Sequence, residues 1–174
     1  WYIEAWRAYY QHTQDRAALH HALPVLKGLV KAYMQGTRFG IGVDPADGLL
    51  RAGEPGSQLT WMDARVDGMP VTPRSGKPVE INALWYNALR TLERFAILVG
   101  ETPIPYADAA DRARAGFARF VLPGGGLADV LDGPDGNDVR VRPNQIFAVS
   151  LTHSPLDPAN QKSVVAQVAQ HLLT

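Results

Sequence analysis

Cysteine is absent from the 174 residues, so neither a disulfide framework nor a thiolate metal site is available. That absence fits the cytoplasm. An excess of one charge is missing too: 17 Lys and Arg are interleaved with 17 Asp and Glu. There is no basic stripe of the kind that tracks a nucleic-acid backbone, so nucleic acid is not an expected partner. No apolar run reaches the length of about 18 residues that a bilayer span needs, so a membrane is not expected either. The opening WYIEAWRAYYQH is aromatic and amphipathic, neither a signal peptide nor a basic membrane helix.

Several chemical signatures are also missing. The His residues 12, 20, 21, 153 and 171 show no HExxH spacing. An EF-hand counted from Asp132 places Pro134, Gly136 and Pro143 where oxygen ligands belong. RSGKP has no glycine five residues before Gly76 and no Ser or Thr after Lys77, so it is not a phosphate-binding loop. No GxSxG supports a Ser-His-Asp triad. Neither a metal nor a cofactor is therefore expected.

Helical periodicity is what the chain does have. Tyr2, Ala5, Trp6 and Tyr9 recur at helical spacing over residues 1–12. Asp15 is placed to cap a helix whose apolar face is Leu19, Leu23, Leu26, Val30 and Tyr33, ending at Gly36. FGIGVDPADGLLRAG reads as a small β-hairpin. Pro78 opens a long helix with Ile81, Leu84, Trp85, Ala88, Leu92, Phe95, Ala96 and Val99 on its apolar face. Ala113, Phe117, Phe120 and Val121 mark another helix, and Pro143 a short one over 143–151. The stretch from Gly124 to Asn144 reads as irregular, with a short strand around Leu127–Leu131. Pro158 starts a last helix with Val164, Val165, Val168 and Leu172 on one face. About six helices result, in consecutive pairs with short turns at one end and long, decorated links at the other. An all-α toroid of helical hairpins has this pattern. Both ends of the chain fall inside helical patterns, so residues 1–174 are expected to be a fragment truncated at both ends.

The most unusual link is LTWMDARVDGMPVTPRSGKPVEINALWYNALR, from Leu59 to Arg90. Trp61 offers a face on which a sugar ring can stack, and Asp63 a carboxyl close enough to reach a glycosidic oxygen. Burial against an aromatic raises a carboxyl pKa, as a general acid requires. The competing reading of Asp63 is a turn or cap aspartate. Arg74 and Lys77 are either solvated loop cations or groups that bind sugar hydroxyls or hold a carboxylate. Glu80 suits the positive end of a helix as well as it suits a substrate contact. Asn87, seven residues on, lies on nearly the same helix face as Glu80. In VRPNQIF, Arg142, Asn144 and Gln145 stand at a helix start; the amides match sugar hydroxyls, and they match capping and loop bonding equally.

The Leu59–Arg90 block closely resembles the signature of the C-terminal glucosidase domain of bacterial and archaeal glycogen debranching enzymes. VRPNQIFAVSL followed by HSPL resembles a second block of that amylo-α-1,6-glucosidase family, and WYIEAWRAYY and GIGVDPADGLLRAG fit the same order. The resemblance implies an (α/α)6 barrel, of which this chain is about half. It also implies inverting hydrolysis of α-1,6 branch linkages in glycogen or limit dextrin, with Asp63 as general acid. Trp61, Arg74, Lys77, Glu80, Asn144 and Gln145 are the expected substrate-binding set. The general base is expected outside the chain, with Glu54, Asp67 and Glu80 as stand-ins that no spacing argument separates. With one carboxylate of the pair, the fragment alone is expected to be inactive; half a barrel exposes apolar faces, so it is also expected to self-associate, to be partly disordered or to be marginally stable. Two other functions compete: a non-catalytic oligosaccharide-binding module using Trp61, Arg74 and Asn144, and a helical interaction scaffold with no carbohydrate role.

Overall fold

The computed structural model describes residues 1–54 and 56–173. Among them are six α-helices and three small antiparallel sheets, so the fold is mostly α. Helices α1 (Tyr2–Thr13) and α2 (Arg16–Gln35) are joined at Gln14, whose left-handed backbone lets its N–H return to the Tyr10 carbonyl. Asp15 caps α2 by accepting the Ala18 N–H, and Gly36 ends it. The expected hairpin is present as β1 (Gly42–Val43) against β2 (Leu50–Arg51).

Helix α3 (Val79–Val99) is the axis of the molecule, with Pro78 at its N-cap and Gly100 in the left-handed conformation at its end. Helices α1, α2, α4 (Ile104–Phe117) and α5 (Phe147–Ser150) all pack on it. It therefore buries more than one stripe. Leu89 is sealed alongside Trp85, Leu92 and Phe95, and so are Glu80, Asn82, Asn87 and Thr91. Each buried amide has a structural partner. Asn82 donates to Leu50 O and Pro78 O and accepts the Leu50 N–H, which clamps the β1–β2 hairpin onto the helix start. Asn87 donates to Glu4 and accepts the His153 N–H, a set of partners separate from Arg74, which holds Glu80. Trp85 is core, as its spacing predicts, and its indole N–H donates to Gly48 O.

Two apolar clusters lie along α3. One gathers Leu19, Leu26, Leu89, Leu92 and Phe95 between α1, α2 and α3. The other gathers Leu49, Val79, Phe117, Phe120, Leu131 and Val164 where loops and sheet meet α3 and α6 (Pro158–Leu172). Gly116 permits part of this packing: a Cβ there would sit 2.2 Å from Asp47 O, so only glycine lets the 44–48 turn rest on α4.

Three elements differ from the sequence reading. The region expected to be irregular, apart from a short strand around Leu127–Leu131, forms β6 (Val130–Gly133), which overlaps that strand, and β7 (Gly136–Asp138), and β6 also pairs with β5 (Lys77–Pro78). The helix expected over 143–151 splits into a 3-10 turn, Pro143–Ile146, and then α5. Of the apolar face expected on α6, only Val164 is sealed; Val165 is 47% exposed, because α6 meets the domain along one line of contact.

Candidate functional site

The Leu59–Pro78 link carries structure of its own. Strands β3 (Arg65–Val66) and β4 (Met69–Pro70) form a second hairpin around Asp67 and Gly68, both with positive φ (49° and 76°), the geometry an Asp-Gly turn favours. Gln58 closes its base by donating to Met62 O and Thr72 O. At the other end Ala52 and Gly76 exchange two backbone hydrogen bonds. Gly76 has φ 124°, and a Cβ there would lie 2.5 Å from Leu131 O, so the strand crossing at this point requires glycine.

Trp61 is 62% exposed, yet its position is defined. Its indole N–H donates to Asn144 Oδ1 at 2.8 Å. Asn144 is buried, and its Nδ2 donates to Asp129 Oδ1 at 2.7 Å and to Met62 Sδ at 3.5 Å. Asp63, two residues beyond Trp61, is exposed. Next to this loop, Leu59 and Thr60 help to line a largely apolar cavity of about 360 Å³ that runs between α1, α2 and α3; Trp61 and Asp63 do not line it.

Beneath Trp61 lies a sealed ionic network. Arg74 donates to Glu80 Oε1 and Oε2 at 2.5 and 2.7 Å, and to Asp129 Oδ2 and Oδ1 at 2.8 and 2.9 Å. It forks onto two carboxylates at once, a use of guanidinium geometry that lysine cannot copy. Burial pulls the Arg74 pKa down, but the hydrogen bonds and charge of Glu80 and Asp129 outweigh it and hold the pKa above the usual value. Arg142 also pairs with Asp129 and continues to Asp138, which Arg140 holds in turn. The Arg140 hydrogen bond, opposed by burial and joined by Arg142, holds the Asp138 carboxyl well below the ordinary range.

Lys77 anchors a second network. Its Nζ lies 2.9 Å from Asp44, 2.8 Å from Asp47 and 2.8 Å from Asp132. Arg119 pairs with Asp47 and Asp132 from the outer side. Burial lowers the Lys77 pKa, and the three carboxylates more than restore it. The Asp132 carboxyl is pushed down to about 2, mainly by Arg119 and then by Lys77.

The expected site residues thus fall into distinct places. Trp61, Asn144, Arg74 and Glu80 are joined through Asp129, which the sequence reading missed; its only signal was an acid in the otherwise apolar run LADVL. Arg74, Lys77 and Glu80, expected to touch substrate, are buried with their polar atoms engaged by protein groups. Of the roles weighed for the two cations, holding a carboxylate is the one the geometry matches. Gln145 is also buried: it accepts the Leu127 N–H and donates to Arg142 O, fixing the loop between β7 and the 3-10 turn. Asp63 and Trp61 are the members of the set that face solvent. Among the described residues no group of three His, Asp or Glu is placed to hold a metal ion, and no helix is long and apolar enough to cross a membrane.

A mostly helical domain, with an ordered aromatic raised on a buried carboxylate–guanidinium network, is the class that fold and site define. The chain belongs to the amylo-alpha-1,6-glucosidase family, whose model matches residues 1–174, the whole of it. That family relates the domain to glycoside hydrolases and its ligand to carbohydrate. No curated protein and no solved structure matches the chain. Neither the fold nor the family match supports self-association.

Proposed function

We propose that this chain is part of the catalytic domain of a cytoplasmic glycogen-debranching glucosidase, about half of an (α/α)6 barrel, which hydrolyses α-1,6 branch linkages with inversion. Asp63 is the general acid that protonates the bridging oxygen. Trp61 is the platform on which the branch glucose stacks. The single observation that carries this reading, beside family membership, is the contrast within the loop: Trp61 is exposed but hydrogen-bonded in place, and the carboxylate two residues on is free to face a ligand.

An inverting pair needs its second carboxylate about 6.5–9.5 Å from the acid, with room for water between. Glu80 and Asp129 are each gripped by Arg74 and bound where they are. Neither is suited to activate water, and this supports a base supplied from outside residues 1–174. In that arrangement Arg74, Lys77 and Gln145 shape the floor of the site and do not themselves touch sugar.

The test is Asp63→Asn in the full-length protein that carries this chain. Loss of acid assistance lowers kcat for glucose release from a branched limit dextrin by about 10²–10⁴. The fold and the binding of the dextrin should persist. Activity within a factor of a few of the unmodified protein removes Asp63 from the acid role. Undiminished binding by a protein that never cleaves the dextrin points instead to the oligosaccharide-binding module.

A further inference from the structure

We propose that Asp129 is a positioning residue: acting through the Asn144 amide, it sets the orientation of the Trp61 indole and so of the surface on which a sugar ring rests. The inference deepens the function proposed above and rests on it for the identity of the ligand. The relay itself rests on geometry alone.

The direction of every bond in the chain is forced. An indole N–H can only donate, so the Asn144 atom facing it at 2.8 Å must be the carbonyl oxygen. Both Asp129 oxygens accept from guanidinium groups, Oδ1 from Arg74 and Oδ2 from Arg74 and Arg142, and the Asn144 oxygen is already committed to the indole. The Asn144 atom facing Asp129 Oδ1 at 2.7 Å must therefore be the NH₂. A flipped amide would set donor against donor at the indole and acceptor against acceptor at the carboxylate. Asp129 thereby selects one orientation of the Asn144 amide, and that orientation places one acceptor for Trp61.

Asp129 can serve as the fixed end because it is itself immobilised. Its backbone N–H donates to Asp138 O, its carbonyl accepts the Val79 N–H, and its side chain is sealed under Arg74 and Arg142. Trp61 lies at the other extreme, on a loop and largely exposed. Without a tether an exposed indole samples several rotamers, and a ligand must order it on binding. A buried polar network ending on an exposed ring removes that cost beforehand. The Met62 sulfur against Asn144 Nδ2 adds a second contact from the same loop.

The experiment uses the full-length protein that carries this chain, labelled with ¹⁵N-tryptophan, the Trp61 indole signal being assigned by its loss in Trp61→Phe. In the unmodified protein that N–H should be protected from solvent exchange although the ring is exposed. Asn144→Leu, which removes both bonds, should abolish the protection and raise KM for a branched dextrin about three- to tenfold, the worth of a hydrogen bond, more than it lowers kcat. Asn144→Asp is the decisive variant, because it leaves Asp129 and its arginines untouched. It keeps an acceptor for the indole but sets a second carboxyl against Asp129; two carboxyls in contact share one proton, which stands in for the amide N–H, so protection should persist while that proton is held and fall to the Asn144→Leu level as rising pH removes it. If the protection factor of the Trp61 signal in Asn144→Asp does not fall between about pH 5 and about pH 10, Asn144 serves as an acceptor by itself and the role of Asp129 is overturned. If Asn144→Leu leaves the signal unchanged, the whole relay is overturned. Signals that move as described in a protein that does not cleave or bind branched dextrin uphold the relay and remove the proposed function instead.

Discussion

Arg74 and Lys77 stand three residues apart in one loop, both buried beneath carboxylates, and they solve the same problem differently. The Arg74 network joins Arg74, Arg140 and Arg142 to Glu80, Asp129 and Asp138, three cations to three anions. The Lys77 network joins Lys77 and Arg119 to Asp44, Asp47 and Asp132, two cations to three anions. The first is neutral and dry at its centre. The second carries one excess negative charge and lets it reach water, since the Asp132 side chain is 42% exposed. A balanced network can be sealed because no charge is left over to hydrate; an unbalanced one must stay open on one side. The sealed network is the one that ends on Trp61.

Removing one ion from each network should separate them. Arg74→Met strands the buried Glu80 and leaves Asp129 to Arg142 and Asn144, and should cost about 3–5 kcal/mol, read by denaturant unfolding. Arg74→Lys should recover little, since three ammonium donors cannot replace the paired bonds that Arg74 makes to Glu80 and to Asp129. Between the two networks lies Gly76, and Gly76→Ala, with φ 124° and no room for a methyl beside Leu131 O, should cost about 2–3 kcal/mol while disturbing both. Lys77→Met should cost less, about 1–2 kcal/mol, because water and Arg119 can still serve its carboxylates. Equal losses for Arg74→Met and Lys77→Met would erase the contrast drawn between dry and open networks.

Acid gives the smallest and sharpest comparison. Asp132 has a folded-state pKa of about 2 against an ordinary value of 3.8, so its contribution is complete above about pH 4 and fades as pH falls towards 2. Asp44 is shifted in the same direction, by Lys77 first and then by the Ala46 N–H. Lys77→Met should therefore flatten the loss of stability on acidification below about pH 4. Asp138, held by Arg140 and Arg142, should contribute to the acid sensitivity that remains, together with Glu4 and Asp15, which are shifted down as well. A slope identical in both proteins would mean that Arg119 alone sets the Asp132 shift.

Much of the helical frame was legible because local signals and packing agree there. Asp15 caps the helix it precedes, Gly36 and Gly100 end theirs, and Trp85 fills the core its spacing predicts. The three-stranded sheet was not legible. Strand β5 is two residues long, contains Pro78, and finds its partner β6 more than fifty residues on, so no periodicity announces it. The β3–β4 hairpin did carry a signal, Asp67-Gly68, but between strands too short to alternate. The loop residues Trp61, Arg74, Glu80 and Asn144 were recognisable as a group; their roles were not, because burial separates a residue that holds a site from one that meets a ligand. Arg74 and Asp63 look alike as charges in a polar loop, and only folding puts one under the floor and leaves the other above it.

With its single N–H turned inward to Asn144, the Trp61 ring has no hydrogen-bond donor left to offer a visitor. Whatever rests on it meets the flat π face of the ring, through apolar contact and not through a donated hydrogen bond. Such contact favours a ligand face that presents C–H bonds, and a hydroxyl projecting from that face would weaken it. Every hydrogen bond donated to a ligand there must come from a group other than the indole.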